Sequence, residues 1–179
     1  MKKVYVILSC TGSGPSRFIK LATKAEFTHS SIAITPNRHQ LYSFARRKLH
    51  NIFIAGFLHE DVDKFIFALY PNAPCAVYEI NVTNDGYKKI VNALIACDKK
   101  YNKYKYSFLG ALTSQLGIKR DLKYRYTCSQ FVASLLHITG EITLPKHPSL
   151  MKPIDFIKIP EAKLIYNGKL KNIDFKSKG

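Results

Sequence analysis

One cysteine of this chain stands where a protein can turn a thiol into a nucleophile. Thr127 and Gln130 flank Cys128 in the T-x-x-Q pattern of a capping box. In that pattern the threonine caps a helix and the glutamine reaches back to the threonine amide. Cys128 is then the first helical residue, where unpaired N–H groups and the positive end of the helix dipole favour thiolate over thiol. The stretch therefore predicts a nucleophilic cysteine.

A capped cysteine on its own is more typical of a small, buried and inert side chain, so a partner base is needed. Of the six histidines, only His29 opens a well-patterned strand, at residues 27–34. Alternation places His29 on a face with the small side chains of Ser31 and Ala33. His29 is therefore the candidate general base for Cys128.

The residue that orients His29 depends on how its strand pairs with the next one, which we predict at residues 40–44. If Ser31 pairs with Ser43, then Ser43 shares the face of His29. If Ser31 pairs with Tyr42, then Tyr42 shares it, because a slip of one residue exchanges the two faces. Both registers stay open in the sequence, and His39 in the intervening turn is a further alternative.

Hydrophobic periodicity predicts the elements that must bring these residues together. Further strands are predicted at residues 4–9, 75–82 and 162–167. Helices are predicted at residues 16–24, from 83 or 84 to about 101 with Cys97 in its buried stripe, at 106–116, from Cys128 to Gly140, and at 149–157. Residues 48–71 have no clear pattern, but Phe53, Phe57, Phe65 and Phe67 indicate an excursion that packs on the core.

The composition fits one folded domain over residues 1–179, with 46% apolar residues. The chain has no run of about 18 apolar residues that could span a membrane. The apolar stretch after Lys2 and Lys3 is too short for an export signal. The four cysteines lack zinc-site spacing and suggest no disulfide framework. We therefore expect a cytoplasmic protein without a metal or another cofactor.

The net charge of +16 is compatible with an anionic partner, such as nucleic acid or a phospholipid surface. Residues 99–105 interleave lysines with tyrosines, as single-strand binders do. No recognised nucleic-acid motif accompanies them. A solvated lysine-rich surface is the more common explanation, so the sequence does not favour an anionic partner.

Two segments together resemble a known family. Residues 4–34 read as a strand, a glycine-containing loop, an amphipathic helix and then FTHSSI. This order resembles the opening of the circularly permuted branch of the NlpC-type papain-like superfamily, the YiiX-like proteins, in which the histidine strand comes first and the nucleophilic cysteine last. The segment YTCSQ at residues 126–130 resembles the cysteine motif of that branch. The resemblance covers residues 1 to about 140.

The resemblance implies an α+β papain-like fold of the circularly permuted NlpC type. In this fold an antiparallel sheet that carries the histidine packs against the helix with the cysteine at its N-terminus. Cys128 would be the nucleophile and His29 its general base. Relatives place a third polar residue, often glutamate or histidine, on the strand after the histidine. Here that position is Ser43, which departs from the family pattern.

The oxyanion and substrate-binding set that we expect begins with the backbone N–H of Cys128. Tyr126 and Tyr5 are candidates to lend a hydroxyl, although both are equally suited to the core. Thr127 belongs to the same set because it adjoins the cysteine.

The activity implied is that of a thiol hydrolase, a cysteine peptidase or amidase that cleaves an amide or ester through an acyl-enzyme on Cys128. Expected substrates are a small peptide, an amino-acid amide or an acyl compound. The serine at the third position keeps open a non-catalytic module that binds a small ligand or peptide on the same fold. Lipid acyl hydrolases and acyltransferases of the family provide another alternative.

Overall fold

The computed structural model describes residues 1–11, 26–48 and 51–175, without the side chain of residue 52. The strands are β1 (Lys2–Ser9), β2 (His29–Ala33), β3 (Leu41–Lys48), β4 (Asn51–Glu60), β5 (Pro74–Val82), β6 (Lys105–Tyr106), β7 (Arg125–Tyr126) and β8 (Ala162–Lys169). The α-helices are α1 (Phe65–Leu69), α2 (Asn84–Lys99), α3 (Phe108–Gln115) and α4 (Cys128–His137). Short 3-10 helices cover Tyr101–Lys103, Pro148–Leu150, Pro153–Lys158 and Leu170–Asn172. The helix predicted at residues 16–24 lies outside the described residues.

Six strands form one antiparallel sheet in the order β4-β3-β2-β1-β5-β8. Residues 4–9 of the central strand β1 are all buried, as expected for a strand that is covered on both faces. The short strands β6 and β7 pair in parallel outside this sheet. The predicted α+β class with an antiparallel sheet is therefore confirmed.

Each face of the sheet is covered by a different layer. On one face, α4 lies against β2 and β3. Its apolar side joins one face of β1 and β2 in a core cluster that includes Phe131, Val132, Val6, Leu8 and Ile32. On the other face, Phe67 of α1 and Phe175 near the C-terminus pack against Tyr5 and Val77 in a second cluster. Within the described part of the chain, no helix has the length and apolar character needed to cross a membrane.

The pairing of β2 with β3 decides the open register. Ile32 pairs with Tyr42, so Ser43 lies on the same face as His29 and Ser31. Tyr42 therefore points to the opposite face. This register is what places the polar groups of β2, β3 and β4 side by side.

The unpatterned segment at residues 48–71 contains β4, which forms a hairpin with β3, and the short helix α1. Phe57 and Phe67 are buried, as predicted. The same prediction is wrong for Phe53 and Phe65, which are exposed. Phe53 lies close to the start of β4 and Phe65 opens α1, so both stand at the ends of elements and outside the core.

Several predicted helix boundaries shift for local reasons. The helix expected at residues 106–116 begins at Phe108, because the Ser107 side chain accepts a hydrogen bond from the Gly110 amide and caps it there. The helix expected at residues 149–157 is two 3-10 helices instead, since Pro153 cannot continue an α-helix. Gly140 follows the end of α4 with a φ of 78°, the left-handed conformation that favours glycine.

Candidate active site

Cys128 occupies the first position of α4, as the sequence predicts. The Thr127 side chain accepts a hydrogen bond from the Gln130 amide at 3.0 Å and caps the helix. The other half of the predicted capping box is wrong. The Gln130 side chain donates to Asp121 Oδ1 at 3.0 Å and to the Arg120 carbonyl at 3.3 Å, so it anchors the preceding loop instead of returning to Thr127.

His29, the first residue of β2, is held by a carboxylate. Its Nε2 lies 2.9 Å from Oε1 and 3.2 Å from Oε2 of Glu60, the last residue of β4. The Ser31 hydroxyl donates to Glu60 Oε2 and lies 3.3 Å from the same imidazole nitrogen. Because β3 separates β2 from β4, the Glu60 side chain reaches across β3 to the imidazole. Glu60 is only 5% exposed, so this pair is shielded from water.

The other side of the imidazole faces the thiol. His29 and Cys128 lie close enough for each side chain to shift the pKa of the other. Since Glu60 engages Nε2, Nδ1 is the ring nitrogen that is left for the sulfur. The chain therefore brings a buried thiol, a partly buried imidazole and a buried carboxylate together.

Burial and the neighbouring charges shift the pKa values of these groups in opposite directions, and the effect of the charges and hydrogen bonds is the larger. Burial alone lowers the pKa of His29, but the charge and hydrogen bonds of Glu60 and Cys128 hold that pKa well above its ordinary value. Burial raises the pKa of Cys128, but the hydrogen bond and charge of His29 lower it below that of an ordinary thiol. Burial likewise raises the pKa of Glu60, but the charge and hydrogen bonds of His29 bring it below the usual value. The arrangement favours thiolate, imidazolium and carboxylate.

Ser30 contributes to the same balance. It follows His29 in β2, and its backbone N–H and its hydroxyl both help to lower the pKa of Cys128. One strand end therefore supplies both the base and a backbone donor for the thiolate. No pattern in the sequence singles out Ser30.

Tyr106 is the tyrosine that reaches the thiol. It ends β6 and pairs with Tyr126 of β7, close to the start of α4. Burial, the nearby Cys128 charge and a side-chain hydrogen bond with Cys128 raise the pKa of the Tyr106 phenol. The hydroxyl stays protonated and can donate to negative charge beside the sulfur.

The predicted tyrosines lie elsewhere. Tyr126 packs against Phe44 and Phe131, with ring centroids 5.3 Å and 6.4 Å away. Tyr5 pairs with Ala33, four residues along β2 from His29, which separates the backbones by about 13 Å. Both tyrosines therefore pack in the core, which was the other role that the sequence allowed for them. Thr127 acts as the cap of α4.

Ser43 shares the face of His29 but does not occupy the third position. Its hydroxyl is buried and forms no hydrogen bond of standard geometry within the described residues. It nevertheless adjoins Glu60 closely enough to help lower the pKa of that carboxyl. The group against His29 is thus Glu60, and Ser43 supports it from behind. The alternatives Tyr42 and His39 lie against His59 and Asp61 respectively.

Two groups at the site were missed from sequence for identifiable reasons. Glu60 closes the segment FIAGFLHE at residues 53–60, which has strand composition but lies in a stretch without a clear pattern. A glutamate at the end of a third hairpin strand would have been the signal. Tyr106 was placed inside a helix, whereas recognition of Ser107 as the helix cap would have put Tyr106 outside it.

A second polar cluster lies at the surface. Candidate ligand atoms of His39, Asp61 and Asp63 all fall within 4.8 Å of one another. Arg38 donates to both carboxylate oxygens of Asp63, at 2.9 and 2.7 Å, and Lys64 lies 3.2 Å from Asp61. These cations already balance the carboxylates, so the cluster has the character of a surface ion-pair network.

Comparison of the chain with protein-family models, with curated proteins and with solved structures finds no match. The papain-like family and the activity that it implies are therefore proposals, which rest on the residues and the geometry described above.

Proposed function

We propose that this chain is a cysteine hydrolase that cleaves an amide or ester through an acyl-enzyme on Cys128. The observation that carries the proposal is the Cys128–His29–Glu60 constellation at a capped helix start, in which the thiol and the carboxylate are buried. Perturbed pKa values on three adjacent groups are typical of catalytic sites. The papain-like resemblance of the two motifs points to the same chemistry.

The first half-reaction forms a thioester. The Cys128 thiolate attacks the carbonyl carbon, and the carbonyl oxygen takes up the negative charge as the C–S bond forms. The Cys128 N–H, at the unpaired start of α4, and the Tyr106 hydroxyl are the proposed donors to that oxygen. When the tetrahedral intermediate collapses, the leaving amine or alcohol takes the proton from the His29 imidazolium.

The second half-reaction releases the acid. Neutral His29 removes a proton from water, and the resulting hydroxide attacks the thioester carbon. The C–S bond breaks, Cys128 leaves as thiolate and His29 keeps the proton, which restores the starting charges. Glu60 stays ionised throughout and stabilises the imidazolium, the role of the third member in triads of this kind.

Glu60 also bears on the non-catalytic alternative. That alternative was favoured by a serine at the third position, since a hydroxyl cannot stabilise imidazolium as a carboxylate does. With Glu60 against Nε2 of His29, this reason no longer holds. The hydrolase is therefore the better supported of the two functions.

An active ester such as p-nitrophenyl acetate provides the test. We expect turnover beyond one equivalent per protein and an acetyl group on Cys128, detected by peptide mass spectrometry. Both should be lost in Cys128→Ala. Cys75 and Cys97 serve as internal controls, since burial raises their pKa values to about 12 and about 11 and keeps them unreactive. Equal acetylation of all cysteines, or unchanged turnover in Cys128→Ala, would contradict the proposal.

A further inference from the structure

Helix α3 has the reverse of the usual arrangement of a surface helix, because its small and polar residues are buried and its large apolar residues are exposed. Its buried residues are Gly110, Thr113 and Ser114. Its large apolar residues Leu109 and Leu112 are 49% and 60% exposed. A surface helix normally turns its apolar stripe inward, because that burial drives packing. The polar side chains inside α3 bond to carbonyls of the same helix, so α3 needs no polar partner from the sheet.

The exposed side of α3 is part of a larger apolar face. Leu116 and Ile118 extend it beyond the helix end, and the exposed ring of Phe53 from β4 lies 6.1 Å from the ring of Phe108. We call this set the apolar face; its members are Phe53, Phe108, Leu109, Leu112, Leu116 and Ile118. Contiguous exposure of this kind marks a surface that contacts another apolar phase or molecule.

The residues that precede and follow helix α3 in the sequence are rich in positive charge. Residues 99–125 contain eight lysines and arginines against a single aspartate. In the part of the chain that the structure describes, none of these eight forms an ion pair with a carboxylate. Lys105, Lys119, Lys123 and Arg125 are all exposed. Their charge is therefore available to an anionic partner.

The apolar face also adjoins the candidate site. The Phe108 ring lies 4.9 Å from the ring of Tyr106, and Cys128 is close enough to Tyr106 to raise the pKa of its phenol. The Tyr106 side chain therefore lies between the apolar face and Cys128.

From these observations we propose that the apolar face docks on an anionic phospholipid membrane. The leucines and Phe108 enter the boundary between head groups and acyl chains, and the neighbouring lysines and arginines contact the lipid phosphates. Exposed leucines that are flanked in sequence by lysines and arginines are what an interfacial helix presents to such a surface. A nucleic acid would instead be met by stacking aromatics, and leucine and isoleucine cannot stack on bases. Docking requires no chemistry at Cys128, so it stands independently of the hydrolase proposal.

Vesicle co-sedimentation tests the apolar part. Wild-type protein should bind vesicles of phosphatidylcholine mixed with phosphatidylglycerol, and bind pure phosphatidylcholine much more weakly. The double variant Leu112→Ser/Leu116→Ser should bind the mixed vesicles at least about tenfold more weakly, because two half-exposed leucines no longer enter the lipid. The matched control is Ile95→Ser/Leu164→Ser, which changes two exposed apolar residues on α2 and β8. This control should bind like the wild type.

A charge series tests the electrostatic part. Lys119→Gln and Lys123→Gln should each weaken binding to the mixed vesicles about fivefold. The control Lys163→Gln on β8, the opposite edge of the sheet from β4, should have little effect. Turnover of the soluble ester by both variants should match the wild type, which separates docking from catalysis.

Three results would overturn the proposal. The first is a wild-type protein that fails to bind the mixed vesicles. The second is undiminished binding by the leucine variant, which would mean that charge alone attracts the protein. The third is self-association in solution that Leu112→Ser/Leu116→Ser abolishes while vesicle binding persists, because the apolar face would then contact a second copy of the chain.

Discussion

Nε2 of His29 lies 2.9 Å from Oε1 of Glu60, although the two residues are 31 positions apart and β3 runs between their strands. The contact leaves the other ring nitrogen to Cys128 and supplies the negative charge that an imidazolium needs. It thereby favours the thiolate of Cys128 and the imidazolium of His29.

Glu60→Gln should make the thiol less reactive at low pH. Without the carboxylate charge the pKa of His29 falls, the imidazolium is lost at lower pH, and the pKa of Cys128 rises. The pH profile of iodoacetamide labelling at Cys128 should shift to higher pH, and ester turnover should fall about 100-fold. The matched control is Glu79→Gln, because Glu79 is a buried glutamate of β5 that forms an ion pair with Lys3 of β1. A shifted profile in the control, or an unshifted one in Glu60→Gln, would show that the carboxylate does not govern the thiol.

His29→Ala should leave Cys128 as an ordinary buried thiol. Burial alone raises the pKa of the sulfur, so labelling below a pH of about 8.5 should become slow. Turnover should fall by about 10²- to 10⁴-fold because the proton donor and acceptor is gone. His59→Ala is the comparison, since His59 of β4 is exposed, lies on the sheet face opposite to His29 and pairs with Asp98 at 2.6 Å. Rapid labelling near neutral pH that survives in His29→Ala would exclude the thiolate–imidazolium pair.

Tyr106→Phe should reduce kcat by about 100-fold with little change in KM. The phenol hydroxyl is expected to donate to the oxyanion, which exists only after attack, so its removal affects the transition state more than substrate binding. Tyr126→Phe tests the tyrosine that the sequence suggested, and its kcat should stay near wild type because the ring packs on Phe44 and Phe131. The opposite pattern in these two variants would return the role to Tyr126.

The His29–Glu60 pair should also make stability depend on pH. The lowered pKa of Glu60 contributes stability above its unfolded value of about 4.3, and this stability is lost as pH falls through the folded value. The raised pKa of His29 contributes stability below its unfolded value of about 6.5, and this is lost as pH rises through the folded value. Urea unfolding of wild type and Glu60→Gln should differ most between these two unfolded values. A difference that is constant from acid to alkaline pH would contradict the ionic origin of the effect.

The sequence by itself determined the local features of this protein. Thr127 caps α4 and starts it at Cys128, because a side-chain oxygen and an amide three residues away need no other part of the chain. His29 begins β2 for a similarly local reason, the alternation of the residues that follow it. Cys97 is buried in α2, as its position in the apolar stripe predicts.

Only the tertiary structure decided which groups complete the site. The register of β2 on β3 was open between two neighbouring values, and the pairing of Ile32 with Tyr42 selects one of them. Glu60 reaches His29 because a third strand joins the hairpin, and Tyr106 reaches Cys128 because β6 pairs with β7. These contacts join residues that are distant along the chain, and their pairing is set by how the whole core packs. Local sequence patterns do not determine this pairing. The sequence therefore predicts Ser43 and Tyr126 at the places that Glu60 and Tyr106 occupy in the structure.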